Sequence, residues 1–183
     1  ITVDNVSTTS DSLGLDVDAD STVTSLSVAN ITPVSIASGS SLSGAITVTA
    51  GSIKLAETGT LASSISMSGG VLDADESSTV SGTLTQSGAI TIDVADNKTL
   101  TYSGTAISLG ANTLTLIGGG TLSNTNALVL NDANSLLTLA GILTIGDVEG
   151  TAASNPDKGI LVTSSATLGD YDLSAVSYLS LAA

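Results

Sequence analysis

The sequence predicts an all-β fold: a three-sided parallel β-solenoid, a rod of stacked rungs running through residues 1–183 as one domain. Three observations predict it. Short apolar-x-apolar pairs recur at a near-constant interval, a second apolar column follows each pair at a fixed offset, and turn formers sit between the two columns. Alternation of period two, interrupted every few residues, is a strand signal and not a helical one.

The repeat shows first in two stretches fifty-seven residues apart. Leu15 begins "LDVDADSTVTSL" and Leu72 begins "LDADESSTVSGTL", sharing Leu-Asp-x-Asp and then Ser-Thr-Val. Fifty-seven is three times nineteen, and intermediate copies exist. With Leu15-x-Val17 as marker, equivalents fall at Val34-x-Ile36, Ile53-x-Leu55, Leu72-x-Ala74 and Ile92-x-Val94. They continue at Leu114-x-Leu116, Leu137-x-Leu139, Ile160-x-Val162 and Leu179-x-Leu181. The intervals run from 19 to 23 residues.

Six residues past each marker comes the second column: Val23, Leu42, Leu61, Val80, Leu100, Leu122, Ile145 and Leu168. Between the columns stand Asp20, Gly39, Thr58, Ser77, Asn97, Gly119 and Ser165, residues that bond their own backbone or tolerate left-handed φ. Ile142 breaks that column, and Ala140-Gly141 is expected to turn the chain there. A third strand follows, clearest at Ile46-x-Val48, Ile65-x-Met67, Leu84-x-Gln86 and Leu128-x-Leu130. A lone rung cannot bury its inward face, but stacked rungs cover one another, each strand bonding its equivalents at about 4.8 Å. Eight to nine rungs are expected, and parallel crossovers favour right-handed coiling. The stretch "GDVEGTAASNPDKG", residues 146–159, lengthens one rung and is expected to leave the rod as a loop.

A rung near nineteen residues, rich in Ser, Thr, Gly, Asn and short aliphatics, resembles the repeat regions of filamentous-haemagglutinin-type exoproteins and autotransporter passengers. The resemblance covers essentially the whole chain and lies in architecture. It implies a secreted, cell-surface shaft.

Composition narrows the function. Phe, Trp, Cys and His are absent, so the core must be built from Leu, Ile, Val and Ala. Three Lys/Arg against seventeen Asp/Glu, a formal charge of −14, leave little to hold nucleic-acid phosphates or anionic lipid. No apolar run approaches the roughly 20 residues of a membrane helix. A cysteine-free chain suits an oxidising exterior. The chain opens at Ile1 with no secretory leader, as a processed product or a fragment would.

Asp16, Asp18 and Asp20 stand at every second position and are the weak metal candidates. The repeat places Leu15 and Val17 inside, so Asp16 and Asp18 face out and Asp20 lies in a turn. A helix-loop calcium site would put Gly and Glu where this chain has Ser21 and Ser27, so a solvated acidic face is the expected reading, with no cofactor. Equivalents of Asp16 are Ser35, Lys54, Asp73 and Asp93, making Lys54 and Asp73 an expected exposed ion pair. Without His or Cys there is no nucleophile–base pair, and an enzyme is not expected. Thr-x-Thr pairs recur at Thr22/Thr24, Thr47/Thr49, Thr83/Thr85, Thr99/Thr101 and Thr113/Thr115. They fall in different columns, so no continuous threonine ladder is expected. Sequons occur at Asn5, Asn30 and Asn97, about as often as this composition yields by accident.

The expected function is that of an extracellular structural rod, a filament subunit or a shaft segment of a large surface adhesin. The alternative is a surface module binding carbohydrate or a cation, with surface glycans as partners. The terminal segments keep the strand pattern: Ile1 and Val3 alternate at one end, and Leu179 and Leu181 stay in the marker column at the other. Open β edges there are expected to dock head to tail with a second copy or to continue into a longer parent chain.

Overall fold

A computed structural model describes residues 2–3, 6–8, 15–17, 22–29, 34–36, 41–42, 44–55, 58–141, 143–168, 171–172, 174 and 178–181. Every strand pairing among them is parallel, and the described residues contain no helix. The chain coils as a β-solenoid of about 7 turns. That is slightly fewer than the expected eight to nine rungs.

The first strands of the rungs form one nine-stranded sheet from Leu15–Val17 to Leu179–Leu181. The second strands form a six-stranded sheet, Thr60–Leu61 to Ala166–Leu168, and a three-stranded one, Thr2–Val3 to Ser41–Leu42. The third strands form a five-stranded sheet ending at Leu84–Gln86 and a four-stranded sheet beginning at Ile107–Ser108. Inward residues stack into an aliphatic column: Leu72 lies between Ile53 and Ile92 in the ladder, and all three are almost fully buried. Branched aliphatics fit this site because they pack flat on a pleated surface and carry no polar atom to satisfy.

The register departs from the expected columns at two places. Val80 pairs with Tyr102, and Leu100 pairs with Ser78, where the sequence columns aligned Val80 with Leu100. One turn later Ile92 pairs with Leu116 and Ile90 with Leu114, where the markers aligned Ile92 with Leu114. Both slips are of two residues and occur where the rungs lengthen. A slip of two keeps every side chain on its own face, whereas a slip of one would turn the aliphatic set outward.

The lengthening also interrupts the third face. Elsewhere on that face the first residue of a strand donates its N–H to a carbonyl of the following rung, as Ile46 does to Ser64, Ile65 to Thr83 and Leu128 to Asp147. Leu84 instead donates to the hydroxyl of buried Tyr102 at 2.9 Å. Gln86, at an inward position, donates through Nε2 to Thr113 O at 2.7 Å and Gly88 O at 2.9 Å. Its Oε1 is buried without a hydrogen-bond partner. Side chains thus replace ladder bonds at the seam between the two third-face sheets.

The stretch 146–159 departs less than expected. Val148–Gly150 remains in the rod, paired with Leu128–Leu130 and Tyr171–Asp172. Only the segment after it leaves the ladder, and Asn155 ties that segment to the turn one rung back, its N–H donating to Ala133 O and its Nδ2 to Asn134 Oδ1.

Candidate functional site

Asp16 lies in Leu15–Val17 opposite Ser35, and the ladder continues through Lys54, Asp73 and Asp93 as the repeat predicts. Asp18 and Asp20 lie outside the described residues. Lys54 stands opposite Asp73, but its ammonium reaches past it to Asp75 Oδ2 at 2.5 Å. The expected Lys54–Asp73 pair is therefore a Lys54–Asp75 pair, because the carboxylate two residues along lies within reach of the long lysine stem. That contact raises the Lys54 pKa above its ordinary value, with burial opposing it. Burial foremost, and then the charge of Asp75, raise the carboxyls of Asp73 and Asp93 above the usual range. Among the described residues no three or more Asp, Glu, His or Cys converge on a point that could hold a metal ion.

The second face carries a different surface. Inward Leu100, Leu122 and Ile145 are buried and in register, so the residue before each points outward. Those residues are Thr99, Thr121 and Thr144, and the pairing extends to Thr167. Four threonines thus form one unbroken ladder, contrary to the expectation that no such ladder exists. The expectation failed because it followed Thr-x-Thr pairs along the chain, while the ladder is built from one threonine per rung. A second column beside it runs Thr60, Thr79, Thr101, Ser123. Neither column contains a charged residue.

The four threonines line one side of a groove of about 380 Å³ at the corner between the first and second faces. Asn97, Lys98, Gly119, Gly120, Ser165 and Ala166 complete it. Asn97 turns the chain there with φ of 61°, the left-handed conformation its amide side chain tolerates. One rung later the corner is glycine: backbone crowds Gly120, and the Asp96 side chain crowds Gly119. A Cβ at Gly120 would lie 2.5 Å from Ala95 O and 2.6 Å from Lys98 O, and one at Gly119 would lie 2.1 Å from Asp96 Oδ1. Lys98, the cation among the lining residues, is paired with Glu76 at 2.5 Å, and the Asp96 carboxylate lies against Gly119, so the groove offers no uncompensated positive charge.

Of the expected assembly edges, Ile1 lies outside the described residues and Val3 pairs with Val23. Leu179 and Leu181 pair with Ile160 and Val162, yet are 55% and 72% exposed, the two large apolar side chains that the described core leaves uncovered. Of the sequons, Asn5 and Asn30 lie outside the described residues, and Asn97 is exposed.

Sequence reasoning missed the inward polar residues. Asn124 sits in the inward column above Tyr102, its Nδ2 donating to Asn126 O and Asp147 O while its Oδ1 accepts from Gly146 N. The available signal is parity: Gln86 and Asn124 each fall two residues after an inward leucine, on the inward side of their strands, where a polar side chain needs hydrogen-bond partners. Comparison with known proteins adds no relative: no family model, no curated protein and no solved structure matches the chain.

Proposed function

We propose that the chain is a structural rod, a filament subunit or shaft segment that works outside the cell and has no catalytic role. The observation that carries the reading is the nine-stranded parallel sheet running from Leu15–Val17 to Leu179–Leu181, backed by a buried aliphatic stack. Such a ladder distributes tension over many backbone hydrogen bonds, and each rung is stable only against its neighbours. The absence of His and Cys and the scarcity of cations leave the surface poor in catalytic groups. On this reading a further rung, from a second copy or from continuing chain, covers Leu179 and Leu181.

Electron microscopy of the purified chain at increasing concentration tests it. Rods that lengthen end to end support the reading, and a Leu179→Asp/Leu181→Asp variant should then stay as short soluble rods. Round particles without a long axis would reject the rod, and filaments unchanged in the double variant would reject axial stacking through that strand.

A further inference from the structure

We propose that the groove on the second face binds a neutral, linear glycan laid along the rod axis. The Thr99, Thr121, Thr144 and Thr167 ladder repeats at the strand spacing of about 4.8 Å, so it presents hydroxyls over roughly 14 Å. An extended glycan advances by a similar step per sugar, and successive sugars would meet equivalent threonines. Each threonine offers a hydroxyl that donates and accepts, matched to sugar hydroxyls, and a methyl for the ring edge. The Asn97 amide and the Lys98 ammonium add donors at one end.

Charge selects among glycans. The Lys98 charge is taken up by Glu76, Asp96 sets a carboxylate beside Gly119, and the chain as a whole carries −14, so a polyanion is repelled. A neutral chain meets no such barrier. Shape selects a single chain over a crystalline surface: ice needs a level face, whereas this ladder borders a recess of about 380 Å³, within the ~300–1,000 Å³ of small-ligand sites. At the corner the Ala95 and Lys98 carbonyls leave no room for a Cβ at Gly120, and the Asp96 carboxylate crowds Gly119.

Calorimetric titration with cellohexaose, β-1,3-linked glucohexaose and mannohexaose, with a galacturonate hexamer as acidic control, tests the proposal. Saturable binding of at least one neutral hexamer is expected, and none of the acidic one. Thr121→Val/Thr144→Val keeps the β-branched shape and removes two hydroxyls. It should weaken binding by about tenfold, as loss of two hydrogen bonds implies, without lowering the melting temperature. Thr47→Val/Thr85→Val, on the third face, should bind as the parent does. Should the groove variant melt lower, Thr144→Val alone carries the test, since Thr144 is already exposed. Failure of every neutral hexamer to bind, equal loss in both double variants, or preference for the acidic hexamer would overturn it. So would adsorption to ice that depends on Thr121 and Thr144, which would assign the face to a crystal surface.

Discussion

The Tyr102 hydroxyl accepts a hydrogen bond from the Leu84 N–H across the seam where the third-face ladder is cut. One side chain there does the work of a carbonyl, and both partners are buried. Tyr102→Phe keeps the ring and leaves that N–H unpaired in an apolar site. A loss of roughly 1–3 kcal/mol is expected, the cost of a buried donor without an acceptor. Hydrogen exchange should localise the effect, with Leu84 losing protection more than Ile46 or Ile65, whose N–H groups keep their backbone carbonyls. Equal protection at all three would show that the hydroxyl carries no ladder function.

Leu72 is 1% exposed and held in register by Ile53 on one side and Ile92 on the other. Leu72→Asp would place a carboxylate in that stack with no partner. Destabilisation by several kcal/mol is expected, since burying an unpaired charge is among the most costly single changes. Chemical denaturation of the variant measures it, and a midpoint equal to the parent's would refute the column.

Leu72 also shows why so much of the fold could be read from the chain. Period alone assigns its neighbours, because a solenoid turns sequence repetition directly into spatial contact. The limits appear where the period changes. The period aligns Val80 with Leu100, and Tyr102 takes that place. Both are inward by parity, and only packing of the lengthened rung decides between them. The threonine ladder lay within reach of the same reading: Thr99, Thr121, Thr144 and Thr167 each immediately precede a member of the second column, and the pairing keeps that register. The recess beside it is not carried by the period, because it depends on how the corners at Asn97 and Gly119–Gly120 pack. Lys54 was paired with the right neighbour in the ladder but not with the right carboxylate, since a lysine stem reaches further than one ladder position.

Chelation is expected to leave the rod intact. Asp16 pairs with Ser35 in the ladder, and the Asp16, Asp18, Asp20 spacing lacks the ligands that close a calcium loop. The melting temperature should be the same with and without EDTA. A fall of many degrees would place a structural cation in the rod.

Asp73 and Asp93 face each other across adjacent strands, with Asp75 close to both. Burial, and then the neighbouring charge of Asp75, hold both carboxyls above their ordinary pKa, while Lys54 draws Asp73 partly back. A carboxyl whose folded pKa exceeds its unfolded value binds its proton more tightly when folded. Stability therefore falls as pH rises from the unfolded value through the folded one, and the deficit persists at neutral pH. Asp172 runs the other way: the Ser174 N–H donates to it and lowers its pKa, so its contribution is present at neutral pH and lost as pH falls. Asp73→Asn should raise the melting temperature at pH 7 and flatten its pH dependence just above the usual carboxylate range. Asp172→Asn should not raise it at pH 7. Thermal melts of the parent and both variants across the acid range decide the matter, and an Asp73→Asn chain that melts below the parent at pH 7 would show that the Lys54 attraction outweighs burial at this position.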